Sequence, residues 1–241
     1  MHRTGFLTAL ATAAALTPII LPPGRAEAAP ATSADDVRAK LLPGQRLVAF
    51  AVTDSATVID FAGPWEVFQD TPLPGRDGQG AFVQYLVGAA MSPVEATAGM
   101  QLMPRYTFAN APRPDIVVAG AQKGSPELIP WLQKQAKTAD VMMSVCTGAF
   151  KFGHAGLFDG KSATTHHDFY DAFEKQFPKV KLVRGPRFVD EGRVVSAGGL
   201  TSGIDLALHV VERFHGKQIA DDVAGYMEFA RTARPPGERR A

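Results

Sequence analysis

The chain has 241 residues, with 25 Lys and Arg against 24 Asp and Glu, a formal charge of +1, and one cysteine. No basic block or aromatic-basic interleaving is present, which argues against nucleic acid or an anionic membrane as partner. A lone cysteine forms no intramolecular disulfide and stands out as a reactive group or an intermolecular cross-link.

The first residues read as a targeting segment rather than fold. A weakly basic start, Met1-His-Arg-Thr, precedes the apolar stretch Gly5–Leu21 and the small-residue site Ala26-Glu27-Ala28. This is the pattern of a secretory signal peptide over residues 1–28, with a mature, exported (periplasmic or secreted) protein beginning at Ala29. Pro18, Pro22 and Pro23 oppose a membrane span there. Cleavage removes Arg3, Arg25 and Glu27, leaving 23 basic and 23 acidic residues. The organisation expected is an arm over 29–44, one α/β domain over 45–232 and a loose tail over 233–241.

Along the mature chain, continuous apolar runs predict buried strands at Gln45–Val52, Phe82–Gly88, Asp115–Ala119 and Val141–Val145. Thr53–Asp60 reads as a loop and Phe61–Asp70 as a helix with Pro64 near its start. Pro93–Tyr106 reads as one or two short strands. Ser125–Lys137 reads as a helix with Ser125 as N-cap and Pro126 at N1. Short strands follow at Ser162–Thr165, Val180–Val183, Arg187–Val189 and Arg193–Ser196, with a helix over Asp168–Phe177. Ser202 with Asp205 three residues on suggests a capping box opening a helix that ends at His215, where Gly216 stops it. A terminal helix is expected over Ile219–Arg231. Alternating strands and helices predict an α/β fold, a three-layer sandwich around a mainly parallel sheet.

The chemistry centres on Val141–Gly156. An apolar strand runs directly into Cys146, a Thr147-Gly148 pair and a helix-compatible segment, the pattern of a nucleophile elbow. Amides of the first helical turn favour an anion there, so the thiol is expected to have a lowered pKa. The competing reading is an inert, buried cysteine. Loops after the strands bring Asp60 and Gly120–Gly124 to the same sheet edge. Thr164-Thr165-His166-His167 adds imidazoles that could set the thiol's protonation; a nearby carboxylate could instead share a proton with the sulfur. Backbone amides at Ala121 and Thr147 could form an oxyanion-type pocket. One Cys and a His-His pair offer no familiar zinc spacing, so neither metal nor other cofactor is expected.

Four stretches together carry a resemblance: Val58–Phe68 (VID-x-x-GP-x-EVF), Ser144–Phe150 (SVCTGAF), Leu157–His167 (L-x-DG-x-x-ATTHH) and Ser196–Glu212 (SAGGLTSGIDLALHVVE). The chain resembles the PfpI/ThiJ-type superfamily, a class I glutamine-amidotransferase-like fold, over roughly Gln45 to Met227. Within it, the branch of isonitrile hydratases and AraC-type sensor domains is the most similar. The resemblance implies Cys146 as nucleophile, Asp60 as its acidic partner, His166 as the superfamily histidine and Gly120 on the oxyanion side. His167 falls where the hydratases often carry Trp. Ala119-Gly120-Ala121 replaces a common Pro-Gly-Gly, which would narrow or reorient the anion pocket. The implied activity is addition of water to a small isonitrile, giving an N-substituted formamide by Cys/Asp catalysis. An exported, non-catalytic small-molecule or redox sensor is the alternative, and a peptidase or deglycase a third. The partners expected are a small-molecule substrate and a second copy of the chain in a homodimer.

Overall fold

The computed structural model describes residues 34–231. The expected signal peptide and the tail over 233–241 lie outside the described residues. In chain order the elements are α1 (Ala34–Ala39), β1 (Arg46–Ala51), α2 (Val58–Gln69), β2 (Phe82–Gly88), β3 (Val94–Glu95), β4 (Gln101–Leu102) and β5 (Tyr106–Thr107). They continue with β6 (Ile116–Ala119), α3 (Leu128–Gln135), β7 (Val141–Val145), α4 (Gly148–His154), β8 (Ser162–Ala163) and α5 (Tyr170–Gln176). The last are β9 (Lys181–Leu182), β10 (Phe188–Glu191), β11 (Val194–Ala197), α6 (Ser202–His215) and α7 (Lys217–Tyr226).

Seven strands form one mixed sheet in the order β10-β11-β7-β6-β1-β2-β5, parallel except for the antiparallel edge strand β10. The four central strands are apolar on both faces because helices cover both. Val48 and Phe50 of β1 join a cluster with α2, α6 and α7, whereas Leu47, Ala49 and Ala51 join one with α3, α4 and α5. Adjacent strand residues point to opposite faces, so the two clusters lie on either side of the sheet. At one end of the sheet, Asp115 accepts from the Leu47 amide at 2.8 Å and pairs with Arg38 at 2.7 Å, holding α1 in place. No helix among the described residues is long and apolar enough to cross a membrane.

Five expectations need correction. The terminal helix expected over Ile219–Arg231 spans Lys217–Tyr226 instead. α2 starts at Val58, so Asp60 stands in the first helical turn and not in a loop. α3 starts at Leu128, after a turn in which the Leu128 amide reaches the Ser125 carbonyl at 3.2 Å; the Ser125 hydroxyl is buried without a partner and caps nothing. The expected helix over Asp168–Phe177 opens instead as a 3-10 turn, His167–Phe169, before α5. Ser202 lies inside α6, after Thr201, and makes no side-chain cap. Its expected capping-box partner, Asp205, pairs instead with Arg187. A carboxylate buried this deeply gains more from a guanidinium than from one terminal amide.

Candidate functional site

β7 ends at Val145, and the chain reverses at Cys146 with φ +57°, a left-handed conformation that side chains with a Cβ rarely adopt. The turn is held from outside. The Cys146 amide donates to the Gly198 carbonyl at 2.8 Å, and the Thr165 hydroxyl donates to the Cys146 carbonyl at 3.0 Å. α4 then leaves at Gly148, where a Cβ would lie 2.3 Å from the Ala119 carbonyl oxygen and 2.8 Å from that of Gly120. Only glycine lets α4 start this close to the end of β6.

Asp60 reaches the same point from α2. Its carboxyl is fully buried, and Oδ2 accepts from the Ala121 amide at 2.8 Å. Oδ1 is buried with no hydrogen bond of good geometry, and the thiol of Cys146 is the proton donor beside the carboxyl. Burial raises the Asp60 pKa from 3.8 to about 6, against the smaller opposing pull of the Ala121 amide and the thiol. Burial is also the main reason why the Cys146 thiol is pushed up to about 11, and the charge of Asp60 adds to it. The amides of Thr147 and Leu200 act on the sulfur in the other direction without prevailing.

The expectation of a lowered thiol pKa is therefore overturned. The amides at the start of α4 are present, but desolvation and a neighbouring carboxylate outweigh them. At neutral pH the pair holds a carboxylate beside a protonated thiol. Burial also disposes of the cross-link reading, because Cys146 is only 6% exposed.

The structure brings Asp60, Gly120, Ala121, Cys146, Thr147 and Gly148 together. Ala121 cannot serve an oxyanion as expected, since its amide is committed to Asp60. His166 lies nearby but not on the sulfur: its Nδ1 accepts from the Asp168 amide at 3.2 Å, and its ring packs against Gly199. His167 stacks on His166 with ring centroids 4.4 Å apart and is otherwise exposed. Among the described residues no hydrogen bond joins either imidazole to Cys146, and the titrating partner of the thiol is the carboxyl. With Asp168, the two histidines place three ligand atoms within 4.8 Å of one another, a grouping able to approach a cation.

Sequence reasoning missed Leu200. It too is left-handed, at φ +52°, and its amide acts on the sulfur. The Gly198-Gly199 pair just before it was the available signal of an unusual turn. Beside this loop opens a cleft of about 400 Å³, lined among others by His166, His167, Tyr170, Arg187 and Thr201.

A mixed-sheet α/β domain with a strained cysteine at a strand-to-helix turn, paired to a buried carboxyl from another helix, defines a recognisable class. The chain belongs to the DJ-1/PfpI family, which it matches over residues 46–213. It is 31% identical over 190 residues to an isonitrile hydratase of Pseudomonas putida, a match covering 76% of this chain and 78% of the hydratase. It is 28% identical over 190 residues to the HTH-type transcriptional regulator GbdR of Pseudomonas aeruginosa, covering 76% of this chain and 51% of the regulator. The chain thus spans about half the length of that regulator. A ThiJ/PfpI family protein from Pseudomonas syringae superposes with a TM-score of 0.69 at 25% identity, covering 90% of this chain and 87% of its own. Drosophila melanogaster DJ-1beta shares the fold, with a TM-score of 0.65 at 17% identity over 77% of this chain and 99% of its own.

Proposed function

We propose that this protein is an isonitrile-hydratase-like enzyme that adds water to a small isonitrile and releases an N-substituted formamide. The observation that carries the reading is the Cys146–Asp60 pair, a protonated thiol beside a carboxyl whose pKa of about 6 lies near neutrality. A general acid–base group works best when its pKa is close to the working pH. Similarity to the P. putida hydratase over most of both chains supports the choice of substrate class.

The chemistry follows from the protonation states. The isonitrile carbon accepts both a nucleophile and a proton. Asp60 takes the thiol proton as the sulfur bonds to that carbon, and returns it to the same carbon, giving a thioimidate, R–N=CH–S, on Cys146. Asp60 next removes a proton from water as the water oxygen attacks the thioimidate carbon. The C–S bond then breaks, nitrogen and sulfur each end with one proton, and R–NH–CHO leaves. The Thr147 and Leu200 amides stabilise the sulfur whenever it carries negative charge. Incubation of the purified protein with alkyl and aryl isonitriles should yield formamides, and Cys146→Ser should not. If the native protein forms no formamide across such a panel, the reading fails.

One observation favours a second reading, small-molecule sensing without turnover. Cys146 is almost fully buried and its thiol is held protonated, as suits a packed residue in a binding domain. Similarity to the GbdR regulator supports the same reading. Ligand-induced thermal stabilisation without product would distinguish it. In either case we propose that residues 1–28 are removed and that the protein works outside the cytoplasm.

A further inference from the structure

The cleft beside the thiol holds a charged group that the Cys146–Asp60 pair does not use. Arg187 stands just before β10 and lines this cleft. Its Nε donates to Oδ2 of Asp205 at 2.8 Å, and Nη2 donates to the same oxygen. Nη2 also donates to the Thr201 hydroxyl at 3.2 Å. Among the described residues no acceptor takes Nη1. The side chain of Arg187 is 36% exposed while that of Asp205 is 1% exposed, so the carboxylate braces the guanidinium from behind. Because the Thr201 oxygen accepts from Arg187, its own proton remains to be donated outward.

These donors are tied to the thiol by one short loop. Gly198 accepts from the Cys146 amide, the Leu200 amide acts on the sulfur, and Thr201 is the next residue. Leu200, whose amide acts on the sulfur, and Thr201 both line the cleft, so its wall adjoins the thiol. Asp168 follows the lining residues His166 and His167 and stands 3.1 Å from His167 and 3.7 Å from His166.

We propose that this cleft is a carboxylate subsite: the preferred small molecule carries a carboxylate received by Arg187 Nη1 and the Thr201 hydroxyl. The substrate class so named, a carboxylated isonitrile, rests on the hydratase reading, but the subsite itself does not. A planar guanidinium with donors left over suits carboxylate oxygens better than a point charge does.

The test has a binding arm and a turnover arm. Thermal shift and calorimetry would compare butanoate with its neutral isostere butanamide, at constant ionic strength set with chloride. Turnover would compare 3-isocyanopropanoate with 1-isocyanobutane. Butanoate should bind at least ~10-fold more tightly than butanamide, the usual effect of a charged hydrogen bond. The same ratio is expected in kcat/KM. Both preferences should collapse in Thr201→Val and in Arg187→Lys, the latter keeping a cation opposite Asp205 so that the fold persists. Equal binding of the two probes, or a preference that survives both substitutions, overturns the subsite. Butanoate selectivity without hydration of any isonitrile would leave the subsite standing and remove the hydratase reading. Hydration without carboxylate preference would do the reverse.

Discussion

Asp60 lies directly over Gly120: a Cβ on Gly120 would stand 2.5 Å from the Cβ of Asp60 and 3.2 Å from its Oδ2. The missing side chain at the end of β6 is therefore the space that the carboxyl occupies beside the thiol. Gly120→Ala must push α2 or the carboxyl aside. Overpacking of this kind costs about 1–3 kcal/mol. A denaturant titration should show that loss together with a changed pH dependence of Cys146 alkylation. An unchanged alkylation profile would mean that the contact does not position Asp60.

Burial of Asp60 makes stability pH-dependent in a definite direction. Its folded pKa of about 6 is above the ordinary 3.8, so the folded chain holds the proton more tightly than the unfolded one. Stability from this group is complete below pH 4, falls as pH rises toward 6, and is lost above that. The loss is about 3 kcal/mol. Asp60→Asn mimics the neutral acid, so it should melt higher than the native protein at pH 8, with the difference vanishing near pH 4. Melting curves at the two pH values check this, and a variant less stable at pH 8 would contradict it.

The same substitution should move two activities in opposite directions. Turnover should fall at least ~100-fold, as loss of a positioned proton carrier usually causes. Meanwhile the thiol should ionise more readily, because the charge that helps hold it at about 11 is gone. Iodoacetamide labelling followed by mass spectrometry should give a midpoint below the native one. Native turnover in Asp60→Asn would take the carboxyl out of the mechanism.

Asp205 provides a check on the α6 terminus. As a capping residue its loss would cost ~1 kcal/mol. As the buried partner of Arg187 it should cost more, about 2–3 kcal/mol for Asp205→Ala, since a charge-assisted pair is broken. Chemical denaturation resolves these two magnitudes.

The basic start, apolar stretch and Ala26-Glu27-Ala28 site lead us to expect a mature amino terminus at Ala29, found outside the cytoplasm. Amino-terminal sequencing of the protein from its own cells reads this directly. An intact Met1 in soluble cytosol would overturn it.

How far the sequence exposes this architecture depends on how local the cause is. β2 and β7 coincide with their apolar runs, and α6 ends at His215 because Gly216, at φ +88°, cannot continue it. Boundaries set by distant partners were harder to see. Thr57 opens α2 with its amide bound to the Ala121 carbonyl at 2.9 Å, a contact 64 positions away that draws Val58–Asp60 into the helix. Asp205 had the spacing of a cap, and only the fold brings Arg187 to it. The convergence of Cys146 and Asp60 was legible in their motifs. The direction of the thiol's titration was not, because desolvation depends on everything packed around a group, whereas a helix start can be read from a few neighbouring residues.

The loop that closes over Cys146 has a consequence for the order in which the molecule comes into being. The carbonyl of Gly198 and the amide of Leu200 are among the last parts of the site to leave the ribosome. At ordinary synthesis rates the 54 positions between Cys146 and Leu200 take on the order of 3–10 s. Throughout that interval the nascent chain carries the cysteine without the segment that bends it into its left-handed turn. An unsheltered thiol of ordinary acidity should thus exist only during biosynthesis. Any chaperone or oxidant that reacts with this residue meets its best opportunity then, before the fold has buried the thiol and raised its pKa.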